Sequence, residues 1–113
     1  MLNVQKLDEV LVVSLETDNK LNAAISQKFK IEMAKLIDSP SMKIVIDLAG
    51  VDYIDSSGFG SLLSVLRAAK SNSAQLKLCN IAPDVMELVR LLQLQTVFDI
   101  RNNIEDSIKS FSA

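Results

Sequence analysis

The residues best suited to chemistry stand together at Asp52-Tyr53-Ile54-Asp55-Ser56-Ser57-Gly58-Phe59-Gly60. Two hydroxyls directly follow a carboxylate, and an apolar stripe at helical spacing begins at Phe59 and continues through Leu62, Leu63 and Leu66. This order puts Ser56 and Ser57 at a helix N-terminus, where unpaired backbone N–H groups and the positive end of the helix dipole receive an anion such as phosphate. The plainer alternative is an acidic turn in which Asp55 or Ser56 caps the helix, and on local pattern alone it is the commoner case. Gly58 and Gly60 carry no side chain to obstruct an approaching macromolecule, so Gly58 is expected near the surface, with Phe59 anchoring the helix to the sheet. Asp47, Asp52 and Asp55 could surround a hard cation, but solvated loop carboxylates and helix capping account for them more simply.

Enzyme chemistry finds little apparatus. The 113 residues include no histidine, which removes Ser-His-Asp and Cys-His catalysis, His-ligated zinc and an imidazole switch. The single cysteine, Cys79, lies in the apolar run Leu76-Lys77-Leu78-Cys79, where a buried, inert thiol is expected. Gly58-Phe59-Gly60 opens a dinucleotide fingerprint, yet position 63 is leucine and the glycines fall inside the helix start. Neither a G-x-S-x-G elbow nor a Gly-Lys-Ser phosphate loop occurs. A receiver-type phospho-aspartate domain needs acidic residues after a strand that leads into a helix, whereas Asp8-Glu9 leads into another strand. No enzyme activity, cofactor or metal is expected of this chain.

The elements that must position the Asp52 to Gly60 segment follow from periodicity. Leu2 to Leu7 and Val10 to Leu15, joined by Asp8-Glu9, predict an antiparallel hairpin. After the polar stretch Thr17 to Asn22, Ile25, Phe29, Met33 and Leu36 predict a helix capped by Asn22 and stopped at Ser39-Pro40. Lys43 to Leu48 contains Ile44-Val45-Ile46, which suits a strand buried on both faces, and the loop Ala49 to Asp55 follows. A helix from near Ser57 fades at Ser71-Asn72-Ser73, ahead of a strand Gln75 to Cys79. Pro83 opens a third helix, a strand is expected around Thr96 to Ile100, and Ile104, Ile108 and Phe111 mark a last helix. The expected architecture is a single α/β domain spanning residues 1–113, with a mixed, mostly parallel four- to five-stranded sheet, an N-terminal antiparallel strand and about four helices. In open α/β sheets, a strand-to-helix loop such as 49–55 is where ligands and partners bind.

Composition bounds the partners. A hydrophobic share of 49% with 23% charged residues suits a soluble domain, and the net charge of −2 lacks the basic excess of nucleic-acid binding. Neither nucleic acid nor a membrane is an expected partner. The unpaired Cys79 and an N-terminus bearing Lys6, Asp8 and Glu9 point to a reducing, cytoplasmic setting.

Lys43 to Leu48 followed by Asp55-Ser56-Ser57-Gly58 resembles the phosphorylatable signature of bacterial anti-sigma factor antagonists, the STAS domain family. The resemblance runs on through Pro83-Asp84-Val85-Met86-Glu87-Leu88 and the stretch ending at Phe98, which look like the family's third helix and final strand. It implies a partner-switching regulator whose unmodified form binds an anti-sigma factor with serine kinase activity, releasing a sigma factor until phosphorylation ends the complex. The second serine of the motif, Ser57, is then the acceptor. The kinase brings ATP and magnesium, and a separate serine phosphatase resets the switch. The implied partner-binding residues are Asp18, Asn22, Tyr53, Asp55, Ser56, Ser57 and Gly58. Where many relatives have glycine and aspartate before the first helix, this chain reads Thr17-Asp18-Asn19-Lys20-Leu21-Asn22. The alternative the family offers is a non-switching STAS subunit of a lipid-transport or stress-sensing assembly.

Overall fold

The computed structural model describes residues 1–16 and 18–112. Thr17, at the start of the expected binding loop, lies outside the described residues. β1 (Leu2–Leu7) and β2 (Val10–Leu15) form the predicted hairpin, with Leu7 paired to Val10. Its two-residue turn holds Asp8 and Glu9 at φ 49° and 67°, the positive values needed for the turn to match the strand twist. After β3 (Lys20–Leu21) comes α1 (Ala23–Leu36), and then β4 (Lys43–Asp47) leads into β5 (Tyr53–Ile54) and α2 (Ser56–Ser71). β6 (Gln75–Cys79), α3 (Pro83–Leu91), β7 (Asp99–Arg101) and α4 (Ile104–Ser110) complete the chain.

The main sheet has the order β1-β2-β4-β6-β7, parallel throughout except for the edge strand β1. β4 sits at its centre, and its three apolar residues divide between two layers. Ile44 and Ile46 pack with Phe29 and Met33 of α1, Leu62 and Val65 of α2, and Val85 and Val89 of α3. Val45 packs on the opposite face with Val10, Val12 and Cys79, beneath Ile104, Ile108 and Phe111. Three helices therefore cover one face and α4 covers the other. Burial on both faces is the reason this strand reads as an unbroken β-branched run. On the α4 side, the buried Lys77 ammonium lies 4.6 Å from the Phe111 ring centroid and 2.7 Å from Asp99 Oδ2, so the charge is compensated twice.

The secondary structure departs from the sequence expectations in two places. The last strand is Asp99–Arg101 instead of Thr96 to Ile100, because Leu94–Thr96 forms a 3-10 turn entered through Gln93 at φ 57°. Within that turn the Phe98 N–H donates to Leu94 O at 2.9 Å, a local closure that overrides the β propensity of Thr96-Val97-Phe98. In addition, both polar loops contain short strands. β3 and β5 pair in parallel as a separate two-stranded sheet, Lys20 opposite Tyr53 and Leu21 opposite Ile54.

Candidate functional site

The β3–β5 ladder joins the 18–22 loop to the 52–58 loop, regions more than thirty positions apart in the chain. The Asp52 N–H donates to Asn19 O at 2.9 Å, and the Asp55 N–H to Leu21 O at 3.3 Å. Asn19 adopts φ 65°, a left-handed conformation that asparagine accepts more readily than most residues.

Asp55 is the hub. Its Oδ1 accepts the Gly58 N–H at 2.8 Å, capping α2, and its Oδ2 accepts the Ala23 N–H at 3.0 Å, the first N–H of α1. One carboxylate thus caps two helices, and its charge sits at the positive ends of both dipoles. Asn22 caps α1 as expected, its side chain accepting the Ala24 N–H at 3.1 Å. Of the backbone donors that open α2, Asp55 and Gly58 are engaged, which leaves the N–H groups of Ser56 and Ser57 without a protein partner among the described residues. Both of these serines are exposed. Asp18 is also exposed, and Tyr53 is half exposed. The surface so assembled therefore carries two hydroxyls, a phenol, two free N–H donors and the carboxylates of Asp18 and Asp52.

Gly58 corrects the sequence reading. It is buried instead of lying near the surface, and a Cβ there would overlap the carbonyl of Leu21 and stand 2.7 Å from Ile54 Cγ2. Its missing side chain lets α2 approach the end of β3, so the glycine is required by packing. Gly60 has nothing within 4 Å of such a Cβ and is exposed. Phe59 is buried in the core as expected.

Asp47 points elsewhere. Its Oδ1 accepts from Ala49 N at 3.0 Å and from Asn80 Nδ2 at 2.8 Å, which fixes the turn after β4. Among the described residues no three metal-ligating side chains gather, so Asp47, Asp52 and Asp55 form no common site. Cys79 lies 4.0 Å from the same Asp47 oxygen. Burial first, and the Asp47 charge second, push its thiol up to about 11.

The part of the site that the sequence concealed is the β3–β5 ladder, together with the Leu21 carbonyl against which Gly58 packs. The signal available was small: Leu21 is the one apolar residue between Asp18 and Asn22, and Ile54 follows Val51 and Tyr53 in a segment too short to show a strand pattern; Leu21 and Ile54 are both buried.

Residues 1–107 match the family model described as STAS domain. The chain is a STAS-domain protein. STAS domains are regulatory modules and not catalysts. Over 110 residues the chain is 27% identical to BtrV of Bordetella bronchiseptica, assigned as an anti-sigma factor antagonist, covering 97% of this chain and 93% of that protein. The structure of a STAS domain protein from Planctomyces limnophilus superposes with a TM-score of 0.89 at 17% identity, covering 99% of this chain and 98% of the other. The phosphorylated form of the Bacillus cell fate determinant SpoIIAA superposes with a TM-score of 0.67 at 16% identity, covering 98% and 99%. The two superpositions speak for a shared STAS fold. No helix among the described residues is long and apolar enough to cross a membrane.

Proposed function

We propose that this STAS protein is an anti-sigma factor antagonist that works by partner switching. Its unmodified form binds an anti-sigma factor with serine kinase activity and frees the sigma factor, phosphorylation of Ser57 ends that binding, and a serine phosphatase restores it. The binding surface comprises Asp18, Asn22, Tyr53, Asp55, Ser56 and Ser57, with Gly58 beneath it holding α2 in place.

The observation that carries this reading is the first turn of α2, where Asp55 has already taken up the cap and the exposed Ser57 stands beside two free N–H groups. A phosphate on Ser57 brings about −1.5 to −2 charges at pH 7, which the helix N-terminus tolerates, so the free protein stays folded. A partner shaped around a neutral hydroxyl has to desolvate that dianion beside Asp18 and Asp52. A mismatch of this kind costs several kcal/mol, and each 1.4 kcal/mol is a factor of about ten, so affinity falls by roughly a hundredfold or more. The choice of Ser57 over the equally exposed Ser56 rests on the family resemblance.

The test is phosphopeptide mapping after treatment with the cognate kinase, combined with titration of both forms against that partner. Ser57→Ala is expected to bind yet resist modification, and Ser56→Ala to remain a substrate. Modification at Ser56 alone, or equal affinities of the two forms, would overturn the proposal. Constitutive binding without phosphate uptake would instead favour a non-switching STAS subunit.

A further inference from the structure

The helix layer carries a charge imbalance that the Ser57 switch does not require. α1 holds Lys28, Lys30 and Lys35 against Glu32 alone, and α2 holds Arg67 and Lys70 with no acidic residue, although the whole chain has a net charge of −2. Among the described residues, none of these five cations forms an ion pair, which is also true of Lys43 and of Arg90 on α3, whereas Lys6, Lys77, Arg101 and Lys109 are paired. Protein surfaces ordinarily intersperse the two signs, and a one-sign field raises the local concentration of oppositely charged partners.

Between the two helices runs a groove of about 270 Å³ lined by Lys30, Ile31, Ala34, Ser64, Val65 and Ala68. Ile31 is 48% exposed and is the only large apolar side chain of α1 and α2 left so open. Lys28, Ile31 and Lys35 share one stripe of α1 by their spacing, and Arg67 follows Ser64 by one turn on α2. The groove thus offers an apolar centre and short side chains with Lys30 in its wall, and by helical spacing Lys35 stands one turn from Ile31 and Arg67 one turn from Ser64.

We infer that the α1–α2 groove docks an acidic amphipathic helix of a protein partner. An aliphatic side chain of that helix packs against Ile31 and Val65, and its carboxylates meet Lys30, Lys35 and Arg67. A bilayer fits this surface poorly, because interfacial binding uses a broad apolar face with several large residues, and here Ile31 stands alone. Nucleic acid fits poorly because the floor of the groove is apolar. The inference does not depend on Ser57 being the phosphate acceptor. It does impose a polarity on any partner that reaches both regions, since the loops carrying Asp18 and Asp52 are acidic and the helices beyond them are basic.

The test uses the full chain, 15N-labelled, and two synthetic helical peptides with the same leucine face, one flanked by glutamates and the other by lysines. The acidic peptide is expected to shift the amide resonances of Ile31, Ala34, Ser64 and Ala68, and to bind about tenfold or more tightly than the basic one, with the difference shrinking as salt rises. Ile31→Ser, at an exposed position, is expected to weaken binding about tenfold without lowering the melting temperature. Lys30→Glu combined with Arg67→Glu reverses the preference between the peptides. Equal affinity for both peptides, shifts centred on Leu88 and Leu91 of α3, or binding of phosphatidylglycerol vesicles or a single-stranded oligonucleotide in place of the acidic peptide would overturn it.

Discussion

Replacing Gly58 and Gly60 separately by alanine sets two effects of opposite sign against each other on one helix. Helix propensity alone makes either change stabilising by up to about 1 kcal/mol. At Gly60, where a Cβ meets nothing within 4 Å, propensity acts unopposed. At Gly58 the new Cβ would overlap the Leu21 carbonyl and stand 2.7 Å from Ile54 Cγ2. That carbonyl belongs to backbone held by the β3–β5 ladder and accepts the Asp55 N–H, so no rotamer change relieves the overlap and α2 must lift. Overpacking typically costs about 1 to 3 kcal/mol, and loosening a helix cap adds about 1 kcal/mol more. Gly58→Ala is therefore expected to lose about 1 to 3 kcal/mol net of propensity. For a chain of this length each kcal/mol moves Tm by about 4 °C, so Tm falls by about 4 to 12 °C in Gly58→Ala and rises by up to about 4 °C in Gly60→Ala. Calorimetric melts of the three proteins measure this, with urea titrations to check that the m-value is unchanged. If Gly58→Ala melts at or above the wild-type temperature, the close approach of α2 to β3 is wrong.

Asp55→Ala removes both helix caps and is expected to cost about 2 kcal/mol, against about 1 kcal/mol for Asn22→Ala, measured by urea unfolding; equal losses would mean that the second cap contributes nothing. Cys79, with its thiol pushed up to about 11, is expected to resist alkylation at pH 8 until the chain unfolds, and rapid labelling of the native protein would contradict its burial. The Arg101 hydrogen bond, followed by Lys77, holds the Asp99 carboxyl below its ordinary value of 3.8. A lowered native pKa contributes stability that is present above 3.8 and lost as pH falls through the native value. Asp99→Asn is accordingly expected to flatten the acid limb of the stability profile, as read from melts across that range. The same slope in both proteins would show that this carboxylate is not a source of it.

Much of the fold was legible because it is written in periodicity. The hairpin boundaries, the doubly buried Ile44-Val45-Ile46 run, the Asn22 cap and Pro83 at the start of α3 all follow from short-range rules, and each stands where those rules put it. The Asp55-Ser56-Ser57 helix start was equally readable, since capping and apolar spacing act within one or two turns of the chain. What escaped was decided by contacts between distant segments. β3 and β5 have two residues each, too few to show an alternation, and they exist only because the two loops meet. The second acceptor role of Asp55, toward Ala23, and the demand for glycine at position 58 arise from the same meeting. A side chain's local preference is set by its own neighbours in sequence, but whether its glycine faces solvent or a carbonyl from another loop is set by packing, which no local pattern encodes.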